Sequence, residues 1–376
     1  MILFFLLTIA YVIIMLLYRK GWDMQEAFQF SEGYNPKTKI SIIIPARNEE
    51  ENIPVCIYSI LNQKYPENLY EIIVVDDHSA DKTAIVVGAV RKKNVQCIRL
   101  ADHIKATDTL IAYKKKALAV GIAHASGELI VTTDADCITG KEWLKNIAAL
   151  YEEKHPIMIV GAVDFSSNET TLQQFQSLDF IGMQGITVAT HRLKMGTMCN
   201  GANLAFSKEA YYAVRGYDGI DHIASGDDYL LMMKMQKAFP DKIEYLKNKN
   251  AVVRTKPQSN WADFFQQRIR WASKSGKYGD NKLTTVLLLV YVFNLSFLVV
   301  FIGGFIKQEL WLAGIIMLVV KIAAELYFIT PVSRFFDKEK QLKIFPFLQL
   351  RHIVYIIIAG FLGFIGTYEW KGRKVK

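Results

Sequence analysis

Residues 128–136, Glu-Leu-Ile-Val-Thr-Thr-Asp-Ala-Asp, are the stretch of sequence that decides the fold class. The predicted strand from Glu128 to Thr133 has an apolar centre and is rich in β-branched residues, as buried strands are, and Asp134-Ala135-Asp136 follows it. In sheets of parallel strands, ligands bind beyond the carboxyl ends of the strands. The two carboxylates therefore fall where a ligand is expected.

Three more strand–helix units precede this stretch at similar spacing. The predicted strands are Ile40–Pro45, Tyr70–Val75 and Val95–Leu100, and the predicted helices are Asn52–Gln63, Asp81–Lys93 and Lys114–Ala125. Strands that alternate with helices indicate an α/β fold with a mostly parallel sheet covered on both faces. The chain has no G-x-G-x-x-G fingerprint and no G-x-x-x-x-G-K-[ST] loop, which argues against dinucleotide oxidoreductases and P-loop enzymes.

Apolar stretches flank this region at both ends of the chain. The N-terminal one, Ile2–Tyr18, carries no charge and is followed by Arg19 and Lys20, which is typical of a retained signal anchor. Two of the C-terminal ones are long enough to span a bilayer core of roughly 30 Å, whereas the third, which contains Arg351 and His352, is either a short span or a re-entrant segment. These three are Leu283–Ile306, Leu310–Thr330 and Ile344–Thr367.

Together these features predict five regions along the chain. They are a transmembrane anchor (1–20), a linker (21–39), a cytosolic catalytic domain (40–255), an amphipathic interface segment (256–282) and a membrane region of two or three spans (283–370).

The net charge of +9 has an explanation that does not involve nucleic acid. Basic residues concentrate beside the predicted spans, and by the positive-inside rule they place residues 19–282 in the cytosol of a protein integral to the cell's inner or plasma membrane. These residues are Arg19, Lys20, Arg268, Arg270, Lys274, Lys277 and Lys282. The four cysteines form no C-x-x-C pair, which suits a reducing compartment.

Acidic residues after the predicted strands are the candidates for chemistry. Asp134 and Asp136 suit Mg²⁺ or Mn²⁺ bound to a diphosphate, because such an ion takes one or two carboxylates and completes its shell with substrate oxygens. The alternative is that one of them caps a helix beginning near Thr139. Asp77, beside Asp76, can accept hydrogen bonds from a nucleobase or ribose. Alternatively, this pair caps the helix expected at Asp81 or belongs to an ordinary turn.

Two further segments add candidates. Ser225 is the expected N-cap of a helix that begins with Asp227 and Asp228, where a carboxylate can act as a general base or simply favour the helix dipole. Lys116 either meets donor phosphate or belongs to a solvated basic face. The aromatic and basic stretch that ends at Trp271 predicts an amphipathic helix at the membrane surface.

These motifs, taken in order, resemble the membrane-bound family 2 glycosyltransferases of GT-A fold, the group that contains cellulose, hyaluronan and chitin synthases and ceramide glucosyltransferases. The resemblance covers residues 40–271. Its motifs are Ile42-Ile43-Ile44-Pro45-Ala46-Arg47-Asn48-Glu49-Glu50, Val74-Val75-Asp76-Asp77-His78-Ser79, Lys116-Ala117, Asp134-Ala135-Asp136, Asn200-Gly201-Ala202-Asn203, Gly226-Asp227-Asp228 and Gln267-Arg268-Ile269-Arg270-Trp271.

The resemblance implies a role for each matching residue. Family members usually have Glu-Asp where this chain has Asp227-Asp228, so either carboxylate is a candidate base, and the register favours Asp228. The implied roles are donor binding by Pro45, Arg47, Glu49, Asp77, Lys116 and Asp134, metal binding by Asp134 and Asp136, catalysis by Asp228, and closure over diphosphate and acceptor by Gln267, Arg270 and Trp271.

The resemblance implies an inverting enzyme whose partners are a nucleotide-sugar donor, a lipid or glycan acceptor and the bilayer. Few C-terminal spans favour a lipid acceptor over a polymer channel, whereas the Gln-[Gln/Arg]-x-Arg-Trp form of the last motif, here Gln-Arg-x-Arg-Trp, is associated with processive polysaccharide synthases. A membrane protein that binds nucleotide sugars without catalysis is a further alternative. A transporter is another, prompted by Lys321 and Glu325 inside an apolar stretch.

Overall fold

The computed structural model describes residues 1–104, 111–167, 169–196, 198–273, 280–365, 368–370 and 373–375 of the 376-residue chain. Lys274 and Lys277, which contribute to the predicted charge bias, lie outside these residues. Across the described residues, the strands are β1 Ile40–Ala46, β2 Tyr70–Asp76, β3 Val95–Arg99, β4 Leu129–Thr132, β5 Met158–Gly161, β6 Val163–Phe165, β7 Leu204–Ser207, β8 Ile243–Leu246, β9 Val253–Thr255, β10 Tyr368–Trp370 and β11 Arg373–Val375.

The helices account for most of the remaining described residues. They are α1 Ile2–Met24, α2 Ile53–Leu61, α3 Thr83–Gly88, α4 Tyr113–His124, α5 Trp143–Lys154, α6 Thr171–Leu193, α7 Lys208–Ala213, α8 Asp227–Ala238, α9 Trp261–Ala272, α10 Asn281–Gly304, α11 Glu309–Phe335 and α12 Phe345–Ile365.

The chain divides into two compact units, which we call the sheet unit and the helical unit. The sheet unit comprises residues 26–166 and 199–256, and the helical unit comprises residues 1–25, 167–198 and 257–376. Residues 167–198 lie inside the predicted catalytic range 40–255, yet they cluster with the apolar helices.

The sheet unit is built on a seven-stranded sheet of order β3-β2-β1-β4-β7-β5-β8 within the described residues. Its strands pair in parallel except where β7 runs antiparallel to both β4 and β5. The prediction of a mostly parallel sheet with flanking helices is therefore confirmed. The isoleucines of β1 are fully buried, because this strand lies inside the sheet between β2 and β4.

The helical unit contains the long apolar helices. Within the described residues, four helical stretches are long and apolar enough to cross a membrane: Ile2–Met24, Asn281–Gly304, Glu309–Phe335 and Glu339–Ile365. The first continues to Met24, beyond the predicted apolar stretch, and its polar end carries an Arg19–Asp23 ion pair one turn apart at 2.6 Å.

Helix α6 packs closely against α1 in this unit. A Cβ atom at Gly21 of α1 would lie 2.6 Å from the carbonyl oxygen of Ala189 in α6, so only glycine permits this approach. The start of α6 has a capping box, in which Thr170 Oγ1 accepts from the Gln173 backbone N–H and the Gln173 side chain accepts from the Thr170 N–H. Neighbouring helices and a cap, rather than high hydropathy, therefore stabilise α6.

Candidate active site

The carboxyl ends of β2, β1 and β4 meet at one edge of the sheet, because all three strands pair in parallel. Asp77 directly follows β2, and its backbone N–H donates to the Ala46 carbonyl at the end of β1 at 2.7 Å. Asp134 and Asp136 follow β4. The predicted donor-binding and metal-binding carboxylates thus lie along the same sheet edge.

Arg47 holds the turn that carries Asp77. Its Nη1 donates to the carbonyl oxygens of Asp77 at 2.9 Å and His78 at 3.1 Å, and His78 itself has a left-handed backbone with φ of 53°. His78 Nδ1 lies 2.9 Å from Asp77 Oδ1. The Asp77 side chain is buried, its backbone carbonyl is bound by Arg47 and its carboxylate contacts His78, so this turn positions the carboxylate.

The remaining residues of the first motif lie where β1 leads into α2. Pro45 is paired with Val75 in the sheet. Glu49 accepts a hydrogen bond from the Asn52 side chain at 2.8 Å, and its backbone N–H donates to Thr83 Oγ1 at 2.8 Å. Pro45 and Glu49 therefore lie at the same edge as Asp77, and their donor-binding role stays a prediction.

An acidic cluster forms around Lys114 at the start of α4. Its ammonium lies 2.8 Å from Asp134 Oδ1 and 3.3 Å from Asp227 Oδ2. Asp228 Oδ2 accepts a hydrogen bond from the Gly201 backbone N–H at 3.1 Å. Gly201 lies close to the cluster, since a Cβ atom added to it would be 3.3 Å from Asp227 Oδ2 and 3.8 Å from Lys114 Nζ. Segments far apart in the chain thus bring three carboxylates and one ammonium together.

The charge of Lys114 is secured by its neighbours. Burial lowers the pKa of the ammonium, but the carboxylates of Asp134 and Asp227, with Asp228 farther away, outweigh burial and raise the pKa well above its ordinary value. The side chain therefore stays protonated and offsets part of the negative charge of the cluster.

The start of α8 differs from the sequence-based expectation. The N-cap is Gly226 rather than Ser225, so the prediction of Ser225 was wrong. Gly226 adopts φ of 76°, a left-handed conformation that glycine reaches without strain and serine does not. Asp227 and Asp228 occupy the first turn as predicted, where the helix dipole stabilises their negative charge.

The capping alternative for Asp134 and Asp136 was also wrong. The next helix, α5, begins at Trp143 with Glu142 at its N-cap, well beyond the expected start near Thr139. Asp136 Oδ2 instead lies 3.2 Å from Thr255 Oγ1. The carboxylates are therefore not explained by helix capping.

Both carboxylates act electrostatically on a buried thiol. Burial raises the pKa of Cys56, and Asp136, Asp134 and Glu49 raise it further. Cys56 Sγ lies 3.6 Å from the Asp134 carbonyl oxygen. Asp134 and Asp136 therefore both lie close to Cys56 at this edge of the sheet.

The donor set determines what kind of metal site is possible here. Within the described residues, no group of three or more His, Cys, Asp or Glu side chains could hold a metal ion. Asp134 and Asp136 are a pair of partly exposed carboxylates. This set fits Mg²⁺ or Mn²⁺ only where a bound diphosphate supplies further oxygens, which is the usual arrangement for Mg²⁺ with phosphate substrates.

Sequence reasoning missed two lysines at this site. Besides Lys114, it missed Lys115, a fully buried residue whose Nζ donates to the carbonyl oxygens of Ile220 at 2.7 Å, Ile223 at 2.5 Å and Ser225 at 3.0 Å. Successive helical residues point about 100° apart, so a run of three lysines at a helix start was the available signal. Lys116, the predicted donor-binding residue, is half-buried in the same turn, and its role stays a prediction.

Asn203, in the Asn200–Asn203 motif, has a structural role. Its side-chain amide donates to the carbonyl oxygens of Ala162 at 2.7 Å and Ala251 at 2.9 Å, and its oxygen accepts from Trp143 Nε1 at 2.9 Å. These buried bonds fix the turn that presents the Gly201 N–H to Asp228.

The last predicted motif belongs to the helical unit. Gln267, Arg270 and Trp271 lie on α9 and are all half-buried. The Trp271 ring packs 6.0 Å from that of Phe180. Their catalytic roles stay predictions.

Known proteins match the chain at the level of family and fold. The profile of Glycosyl transferase family 2 matches residues 41–214, and that of Glycosyl transferase family group 2 matches residues 129–358. A mannosyltransferase from Pyrobaculum calidifontis, PcManGT, solved with GDP-Man and Mn²⁺, superposes with a TM-score of 0.58 at 19% identity, over 96% of this chain and 97% of that one. At this identity the similarity establishes the fold.

Two curated relatives match over shorter regions. Poly(ribitol-phosphate) beta-N-acetylglucosaminyltransferase TarS of Staphylococcus aureus is 32% identical over 31% of this chain and 19% of its own length. A dolichyl N-acetyl-alpha-D-glucosaminyl phosphate glucuronosyltransferase of Methanococcus voltae, which transfers a diacetamido-dideoxy sugar, is 34% identical over 30% of this chain and 34% of its own length. The matched region thus spans about a third or less of these relatives.

The group 2 profile covers more than half of the chain, including the Asp134, Asn203 and Asp228 segments. The sheet unit carries the expected carboxylates at its carboxyl edge. The chain therefore belongs to Glycosyl transferase family 2 and has a GT-A fold.

Proposed function

We propose that this enzyme moves a sugar from a UDP-sugar to a membrane lipid at the cytosolic face of the bilayer, with inversion at the anomeric carbon. The observation that carries the proposal is the cluster in which Lys114 joins Asp134 to Asp227 beside Asp228. The helices of membrane-spanning length support a lipid acceptor.

Asp228 is the general base in this proposal. One of its oxygens is held by the Gly201 N–H, so the carboxylate is oriented before the acceptor arrives. It takes the proton of the acceptor hydroxyl while that oxygen bonds to the anomeric carbon. The bond from the anomeric carbon to the diphosphate oxygen breaks at the same time, and the nucleoside diphosphate leaves.

The other site residues bind and orient the donor. Asp77 accepts hydrogen bonds from the uracil or ribose, within the pocket that Pro45, Arg47 and Glu49 line. Asp134 and Asp136 hold Mg²⁺ or Mn²⁺, which when bound stabilises the charge of the departing diphosphate. Lys116, Gln267, Arg270 and Trp271 are assigned to the donor phosphates and the acceptor on the strength of their motifs.

The cytosolic assignment depends on charge. Arg19 and Lys20 lie at the end of α1, and Lys282 lies at the start of α10, both of which are long enough to span. Basic residues beside spans favour the cytosolic side. We therefore place the sheet unit in the cytosol.

One experiment tests both the activity and its base. The full chain in lipid nanodiscs is incubated with UDP-sugars, and with GDP-mannose for comparison, in Mg²⁺ or Mn²⁺ with and without lipid extract. We expect nucleoside diphosphate release that depends on lipid and a labelled product in the lipid phase. Asp228→Asn and Asp136→Ala should each lower the rate at least about a hundredfold, the usual effect of removing one group that stabilises a transition state.

The matched control is Glu67→Gln, at a side chain that is 76% exposed, and it should keep the wild-type rate. A near-normal rate in Asp228→Asn would remove the base assignment. Release without any lipid dependence, together with a product of growing length, would instead support the second candidate, a processive polysaccharide synthase. The Gln-Arg-x-Arg-Trp sequence at 267–271 favours that alternative.

A further inference from the structure

Helix α11 carries a buried ion pair inside a segment long enough to span a membrane. Lys321 Nζ lies 2.7 Å from Glu325 Oε1, and Lys321 has no exposed surface. Gln349 of α12 accepts from Lys321 at 2.5 Å, and the Tyr11 hydroxyl of α1 donates to Glu325. Ionisable side chains at such positions are costly unless they are paired, so this cluster is a specific feature of the helical unit.

The cluster continues towards α9 through charged neighbours. His352 Nδ1 of α12 lies 3.4 Å from Lys321 Nζ, and its Nε2 lies 3.7 Å from Asp179 Oδ1 of α6. Asp179 Oδ2 in turn accepts from Arg268 Nη2 of α9 at 2.6 Å, with both side chains no more than 5% exposed. Lys321 pairs with Glu325 and Arg268 pairs with Asp179, so removing one member of either pair leaves an unpaired buried charge.

Arg268 connects this chain of charges to the predicted catalytic motif. Its guanidinium carbon lies 4.8 Å from the Phe264 ring centroid and 4.3 Å from that of Trp271. Its Nη1 donates to Gln267 Oε1 at 3.2 Å. Arg268 occupies the second position of the Gln-[Gln/Arg]-x-Arg-Trp pattern and contacts two other residues of that pattern, Gln267 and Trp271.

We propose that Asp179 and Arg268 are positioning residues, which set the orientation of Trp271 and Gln267 on α9. This inference rests on the proposed function, because it assumes that Trp271 and Gln267 contact the donor or acceptor. A planar guanidinium stacks on aromatic rings and binds a carboxylate in a fixed geometry, which a lysine cannot do. A buried ion pair adds little net stability compared with apolar residues, so positioning explains its presence better than stability does.

Two variants separate positioning from folding in the full chain in nanodiscs. Arg268→Lys keeps the charge opposite Asp179 but loses the flat stacking group. The double variant Asp179→Leu with Arg268→Met removes both charges and leaves no unpaired one. We expect both to unfold near the wild-type temperature, while kcat falls at least about tenfold and the donor KM stays unchanged, since small misplacements of catalytic groups cost up to about a hundredfold.

The control is Arg334→Lys, which alters the exposed Arg334–Glu339 pair of the same unit and should leave kcat unchanged. Normal kcat in both test variants would overturn the inference and show that the pair only balances charge. A fall in kcat that is matched by a large loss of thermal stability in Arg268→Lys would also overturn it. An inactive wild-type protein with every donor and lipid would instead reject the proposed function, which distinguishes the two failures.

Discussion

Replacing Lys114 with methionine removes the ammonium that joins Asp134 to Asp227 and keeps the length of the side chain. Hydrogen bonds to charged groups contribute about 1.5–3 kcal/mol each. The bond to Asp134 belongs at the low end because 38% of that side chain is exposed, and the contact with Asp227 is long at 3.3 Å. We therefore expect Lys114→Met to lower the local opening free energy by about 2–3 kcal/mol, which is less than the full sum of two bonds.

The loss should be local, so it is measured by native-state hydrogen exchange. Amides of α4 and of the first turn of α8 should exchange faster in Lys114→Met, by an amount that reports the local opening free energy. A single global unfolding free energy is unsuitable because the chain has two units.

The control is Lys64→Met, which removes the partner of Glu142 from an exposed ion pair. Because exposed pairs contribute at most about 1 kcal/mol, this variant should exchange almost as the wild type does. If the opening free energies of the two variants differ from wild type by the same amount, within about 0.5 kcal/mol, Lys114 does not hold the acidic cluster together.

Two further predictions concern charged side chains of the sheet unit that form hydrogen bonds with backbone groups. Lys115→Met should lower the free energy of unfolding by roughly 2–4 kcal/mol and slow transfer, because the carbonyls of Ile220, Ile223 and Ser225 lose the ammonium that donates to them. Lys115→Arg is the control, and equal melting temperatures of Lys115→Met and wild type would contradict the prediction. Glu152→Ala should lower the free energy of unfolding by about 1–3 kcal/mol at neutral pH, because the Glu152 carboxylate accepts hydrogen bonds from Lys37 and Thr38. Burial raises the pKa of Glu152, but these hydrogen bonds outweigh burial and lower the pKa below its ordinary value of 4.5. The contribution of the Glu152 carboxylate to stability is fully present above pH 4.5 and is lost as the pH falls through the lowered pKa. The melting temperatures of wild type and Glu152→Ala should therefore converge in acid. A difference in melting temperature that stays constant with pH would refute this prediction.

Much of the fold could be predicted from short-range patterns. The predicted strands Ile40–Pro45 and Tyr70–Val75 each differ by one residue from the observed strands, because β-branched runs that end in polar residues are local signals. The apolar helices were predictable for the same reason. Helix α3 was expected over Asp81–Lys93 but ends at Gly88, where low helix propensity follows a β-branched run.

The antiparallel strand β7 between β4 and β5 was not predictable in this way. Its four residues, Leu204–Ser207, read as a short apolar run whose partners lie far away in the chain. Register and direction depend on those partners, which no window of neighbouring residues contains.

For this protein, the sequence alone determined the family, the order of the motifs and the acidic residues at strand ends, since each depends on residues close together in the chain. Only the tertiary structure decided which lysine meets those acids. Lys114 reaches Asp134 across 20 residues, and Lys115 reaches Ser225 across 110. The chain of charges from Lys321 to Arg268 likewise joins four helices. Such contacts depend on distances in space, and periodicity and hydropathy carry no information about them.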